Sequence, residues 1–239
     1  MRTILDGAIL RSQPHGDHGR LVAIYSPHEG YVGLVARSAR TPLNGQRFAA
    51  LLHPLALVSA QCSLPRRADG LGQLYDAEPQ CPLPLLVTDA ARIAVALFAS
   101  ELLDLQLRNR PGQVDVYEFI RTTAVALNAP HQSLGLFPHW FVLHLACQLG
   151  YQPTGEWSEC DAFLDVENGC FVSHPTEVTR QISQAVDLLA CTEQPDAITA
   201  APDLSRSALL RVLLQYLAYH SGVACHLRSL PVLESALHE

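Results

Sequence analysis

The alternation of hydrophobic and polar positions changes rhythm once along the chain, a little past residue 80. Before that point the apolar residues come in short runs separated by turn residues. Segments 4–13 (ILDGAILRSQ), 20–26 (RLVAIYS), 30–40 (GYVGLVARSAR), 54–61 (PLALVSAQ) and 70–78 (GLGQLYDAE) read as strands, bounded by SPHEG, TPLNG and SLPRRADG. In the second, Leu21, Ala23 and Tyr25 alternate with Val22 and Ile24, so both of its faces are largely apolar. Five short strands in succession predict a small barrel of the OB type, which closes its own edges.

From Thr88 the spacing becomes helical. Thr88 or Asp89 is placed to cap a helix through AARIAVALFASELLDLQLR, in which Ile93, Leu97, Ser100, Leu103 and Leu107 recur at three and four. Asn109-Arg110-Pro111-Gly112 ends it. A second helix over 114–128 puts Val116, Phe119, Ile120 and Ala124 on one face. A third over 137–150 has Pro138 in its first turn and Gly150 at its C-terminal cap. Asn168-Gly169 marks a hairpin over 163–173, and two more helices are expected over 176–192 and 204–221, followed by a tail containing Pro231. The pattern therefore predicts an α+β chain. A nucleic-acid-binding OB-fold spans 1–80, and a helical domain with one small hairpin spans 81–239.

Composition sharpens this picture. Hydrophobic residues make up 49% and charged residues 16%, which fits a compact, well-buried body. No apolar run is long enough to span a bilayer, and the first residues, broken by Asp6, lack the pattern of a signal peptide. A cytosolic, membrane-free setting is expected. Seven cysteines without a C-x-x-C pair argue for free thiols rather than a zinc site; Cys160 and Cys170 are the nearest pair.

The net charge of −7 would by itself disfavour nucleic acid, but its distribution does not. Residues 1–67 hold eight arginines against three acids, a surplus of five. Residues 68–239 hold eight arginines against twenty acids, a deficit of twelve. The chain has no lysine, and arginine is the better residue for phosphate forks and for stacking on bases.

Several motifs invite chemistry. PHGDHG at 14–19 carries two histidines and an aspartate, yet proline, glycine and aspartate are what a tight turn uses, and H-x-x-H without a downstream pair is a weak metal signal. Arg37 and Arg40 end the third strand, where Ser38 marks a bend able to bring both toward one phosphate track; a solvated strand end is the competing reading. With Arg11, Arg20, Arg47, Arg66 and Arg67 they form the expected DNA-binding set, and Tyr25, Tyr31 and Phe48 offer stacking faces. His144 and Cys147 share a helix face but lack an acid to orient the imidazole. No G-x-S-x-G, Walker loop, H-E-x-x-H or dinucleotide fingerprint is present, so no enzyme, no catalytic residue, no cofactor and no metal is expected.

The order of these segments resembles the RecO family of bacterial recombination mediators. The resemblance rests on residues 7–40, ASELLDLQL (99–107), WFVLHLACQLGYQP (140–153), FLDVENGCFVS (163–173) and HLRSLPVLESAL (226–237), the last looking like the variant of Bacteroidetes-type members. It implies an N-terminal OB-fold and a helical domain. It also implies a DNA repair and recombination protein, cytoplasmic and nucleoid-associated, that binds single- and double-stranded DNA and anneals complementary strands. The implied partners are RecR, single-stranded-DNA-binding protein and, indirectly, RecA. The family's basic residues at the end of the third strand match Arg37 and Arg40. The four-cysteine zinc module of many members has only Cys160 and Cys170 here, so zinc is not carried over. The stretch where the acidic tail of single-stranded-DNA-binding protein docks lacks basic residues, which makes Arg121, beside Phe119 and Trp140, the substitute. Two other classes of function stay open: a protein-only adaptor of the repair complex, and a Cys/His hydrolase in the helical body.

Overall fold

In the computed structural model, the described residues are 2–15, 19–37, 51–65, 67, 70–108, 110–193 and 204–237. Five strands form a closed barrel: β1 (Thr3–His15), β2 (Gly19–Ser26), β3 (Gly30–Arg37), β4 (Leu57–Ser63) and β5 (Gly72–Pro79), in the order β1-β2-β3-β5-β4. All pairs are antiparallel except β3 with β5, where Leu34 stands beside Gly72. β1 is long enough to pair twice. Its first half lies along β4 and its second along β2, with a register shift between Ile9 and Arg11 that bends it around the barrel.

The period-2 pattern explains the interior. Leu5, Ile9, Val22, Ile24, Val32 and Leu34 point inward with Val58, Ala60 and Leu74, each burial contributing about 1.5–3 kcal/mol for the larger side chains. The opposite face of β1–β3 is also covered. Tyr25, which pairs with Ala8 and Tyr31 on that outer face, is fully buried, donates its hydroxyl to Pro111 O (3.4 Å) and accepts from Gln113 N (3.2 Å). Tyr25 is therefore part of the core and offers no stacking face to a base.

What covers that face is helical. A short helix α1 (Leu85–Thr88) leads into α2 (Ala90–Leu107) and then α3 (Val114–Leu127). The expected cap is realised at Asp89, whose side chain accepts from Arg92 N at 2.9 Å. The expected apolar stripe of α2 is only partly right. Leu97 is 38% exposed, whereas Phe98, Leu102, Asp104 and Arg92 are buried, because the helix is packed on several sides and not along one seam. On α3 the predicted face (Val116, Phe119, Ile120, Ala124) is buried. The loop after α2 comes so close to the β2–β3 turn that a Cβ on Gly112 would meet His28 O at 2.5 Å and Pro27 O at 2.6 Å.

Residues 1–130 form one compact unit and residues 131–239 a second. The change of secondary structure near residue 80 and this division at residue 130 differ because α1–α3 pack with the barrel. The second unit holds α4 (Phe137–Gln148), the hairpin β6 (Phe163–Asp165) and β7 (Cys170–Val172), α5 (Arg180–Ala190), α6 (Arg206–Ser221) and α7 (Leu230–Leu237). The hairpin turns through Asn168-Gly169, with Gly169 at φ +66° and Asp165 accepting from the backbone of Glu167 and Asn168. The tail beyond residue 229, to which the sequence assigned no element, is helical: Pro231 stands in the first turn of α7, where a missing N–H costs nothing.

α4 is apolar nearly all round and central to its unit. Its polar side chains bond to backbone carbonyls: His139 Nε2 donates to Arg206 O (2.8 Å), Trp140 Nε1 to Thr192 O (3.0 Å) and His144 Nε2 to Leu189 O (3.1 Å). Burial pushes His139 down to about 4. The unfolded chain binds a proton at this ring below about pH 6.5, while the folded chain refuses it until about 4. Stability is thus fully present above pH 6.5 and is lost as pH falls toward 4, by roughly 2–3 kcal/mol. His144 is lowered by the same cause and adds in the same direction. Urea unfolding of His139→Gln at pH 7 and 4.5 is expected to show a smaller pH difference than the wild type.

Candidate nucleic-acid interface

Strand register alone gathers two of the expected arginines. Arg20 pairs with Ala36 and Gly19 pairs with Arg37, so the start of β2 and the end of β3 lie side by side. β5 begins beside Leu34 of β3 and runs parallel to it, so the β4–β5 connection, which carries the exposed Arg67, opens toward the start of β3, on the side away from Arg20 and Arg37. In OB folds the β2–β3 surface and the β1–β2 and β4–β5 loops are where oligonucleotides bind. Arg20 is braced by Ser12, donating to its Oγ at 3.0 Å and its carbonyl at 3.4 Å. Arg40, Arg47, Arg66 and Phe48 lie outside the described residues.

Arg11 lies elsewhere, on the outer face of β1 opposite Ala23. Its guanidinium faces Asp104 of α2, with Nη1 3.5 Å from Oδ2. The same carboxylate accepts from Tyr31 Oη (2.5 Å) and from Arg108 Nη2 (2.6 Å). Burial, followed by the hydrogen bond to Asp104, pushes the Tyr31 phenol up to about 12, so it remains neutral. Arg108 was not anticipated from the sequence; the Asp104–Arg108 spacing of four on a helix is the signal that marks it. A further arginine, Arg2, stacks over the Tyr75 ring at 4.4 Å.

The three residues expected to meet a partner fall in different places. Arg121 is exposed on α3 and paired with Glu118 (2.7 Å). Phe119, on the same helix, is buried. Trp140 is buried in the second unit, stacked on His144 at 4.6 Å. Near it, burial pushes the Cys147 thiol up to about 11. A thiol so raised is protonated at neutral pH and is a poor nucleophile. Among the described residues no three His, Cys, Asp or Glu side chains are grouped to hold a metal ion, and no helix is long and apolar enough to cross a membrane.

A closed five-stranded barrel in this order, with arginines at the loop end and helices packed on one face, defines an OB-fold protein. Residues 1–81 match the family described as recombination protein O, N-terminal. The chain is also similar to proteins named DNA repair protein RecO from three bacteria. The one from Pelobacter propionicus is 28% identical, the match covering 98% of this chain and 97% of that protein. That from Symbiobacterium thermophilum is 32% identical over 150 residues, covering 63% of this chain and 57% of that protein. That from Exiguobacterium is 24% identical, covering 91% and 90%. Residues 1–81 thus match the recombination protein O N-terminal family, and similarity to proteins named DNA repair protein RecO extends over nearly the whole chain.

Proposed function

We propose that this chain is a DNA repair and recombination mediator that binds single- and double-stranded DNA through the arginines of its barrel and anneals complementary strands. Support comes from the relatives named DNA repair protein RecO, whose similarity extends over nearly the whole chain. The observation that carries the reading is the arginine surplus of residues 1–67 placed on an OB-type barrel. Arginines neutralise phosphates and release counterions, which makes such binding tight at low salt and weak at high salt. Annealing requires no bond-making on the strands. Holding two of them on a positive surface reduces their mutual repulsion, and base pairing supplies the free energy.

In the same reading, the protein helps load the recombinase RecA onto strands covered by single-stranded-DNA-binding protein, with RecR as a direct partner. Arg121, exposed on α3, is the proposed contact for an acidic peptide. The deficit of twelve charges in residues 68–239 favours a second reading, a protein-only adaptor with little direct DNA contact. Annealing of two labelled complementary strands by the intact chain separates them. Several-fold acceleration at low salt that fades at high salt is expected; no acceleration at either would favour the adaptor.

A further inference from the structure

We infer that Arg11 and Arg108 form a separate phosphate grip on the outside of the barrel, with Asp104 as the residue that positions both. The inference rests on the DNA-binding reading above and adds a place to it. Both guanidinium groups contact the same oxygen, Asp104 Oδ2, at 3.5 and 2.6 Å. Their two nitrogens therefore lie no more than about 6 Å apart, close enough for each to reach one oxygen of a single phosphate at about 2.8 Å.

Three features separate this cluster from an ordinary ion pair. One carboxylate serves two guanidinium groups and Tyr31 stays neutral, so a positive charge is left over. The exposures are also uneven: the Asp104 side chain is 9% exposed, Arg11 33% and Arg108 45%. The negative charge is sunk beneath the two positive ones, and an incoming phosphate meets the arginines first. Finally, Arg11 Nε is buried with no hydrogen-bond partner, a cost that a purely stabilising side chain would not carry. Asp104 and Tyr31 both accept from the two guanidinium groups. Each guanidinium has five N–H donors, so donors remain for a ligand. Because the carboxylate and the phenol already fix the two side chains, little rotamer freedom is lost when a phosphate binds.

The test uses Arg108→Gln, a change at a half-exposed position, in the intact chain. Fluorescence anisotropy with a labelled single strand, repeated across a salt series, should show affinity falling about five- to tenfold at low salt. The salt slope should flatten by about 0.7. Arg108→Lys should keep most of the slope, since the charge remains while the fork is lost. Arg211→Gln, which removes one exposed arginine from α6, should change neither quantity. Wild-type affinity and slope in Arg108→Gln, with the parent chain binding normally, would overturn the grip alone. Absence of salt-sensitive binding in the parent chain would overturn the DNA-binding reading beneath it.

Discussion

Replacing Arg37 and Arg40 together by alanine is expected to weaken single-stranded DNA binding by about ten- to a hundredfold at low salt. The size follows from counting phosphates. Each arginine that neutralises one contributes about 0.7 to the salt slope on a single strand, and on the order of 1 kcal/mol to affinity. Arg37 closes β3, and its partner across the ladder is Gly19, a residue without a side chain to crowd the strand end. Arg20 is the next residue along β2, side by side with Ala36 of β3. Removing two charges from such a group should lower affinity uniformly across base sequences, because phosphate contacts carry no sequence information. Anisotropy titrations at several salt concentrations check both parts. A double variant with wild-type affinity would mean that DNA is held elsewhere or not at all.

Arg92→Met is expected to cost about 3 kcal/mol of stability, the largest single effect foreseen in the fold. Arg92 is a buried charge near the start of α2 that serves the end of α3. Its Nε donates to Leu127 O at 3.0 Å, and its Nη2 to Ala129 O at 2.8 Å and Pro130 O at 3.2 Å. Its Nη1 pairs with Asp89 Oδ2 at 2.9 Å. The last carbonyls of a helix have no partners of their own, and a cation there also meets the negative end of the helix dipole. Methionine keeps the stem's volume but leaves the buried Leu127 carbonyl and the half-buried Ala129 carbonyl without this donor. Lysine keeps the charge but cannot reach the same acceptors with a planar fork, so Arg92→Lys should lose roughly half as much. Urea unfolding at pH 7 would measure both. An Arg92→Met protein within 1 kcal/mol of wild type would show that the clamp is not holding α2 to α3.

What the sequence made legible were the features with a strict local cause. Period-2 runs placed all five strands to within a few residues, and Asp89, Pro138, Gly150 and the Asn168-Gly169 turn stand where their backbone chemistry put them. What escaped depends on contacts distant in the chain. Arg92 and Asp104 look like surface positions on a helix, but they are buried because their partners arrive from α3 and from β1 and β3. Tyr25 stood open between a stacking face and the core, since nothing local says that the loop after α2 covers it. Leu97 was assigned to the core by spacing alone, which fails for a helix packed on more than one side. The tail containing Pro231 carried no helical assignment, yet Pro231 stands in the first turn of a helix. The arginines at the loop end of the barrel were legible as a concentration of charge; their gathering required the register.

The most direct test of the whole account is the affinity of the intact chain for a labelled single strand, measured from low to moderate salt and plotted as log K against log salt concentration. Several arginines acting together predict a straight line with a slope of about −3. A flat line, or no binding at the lowest salt, would contradict it.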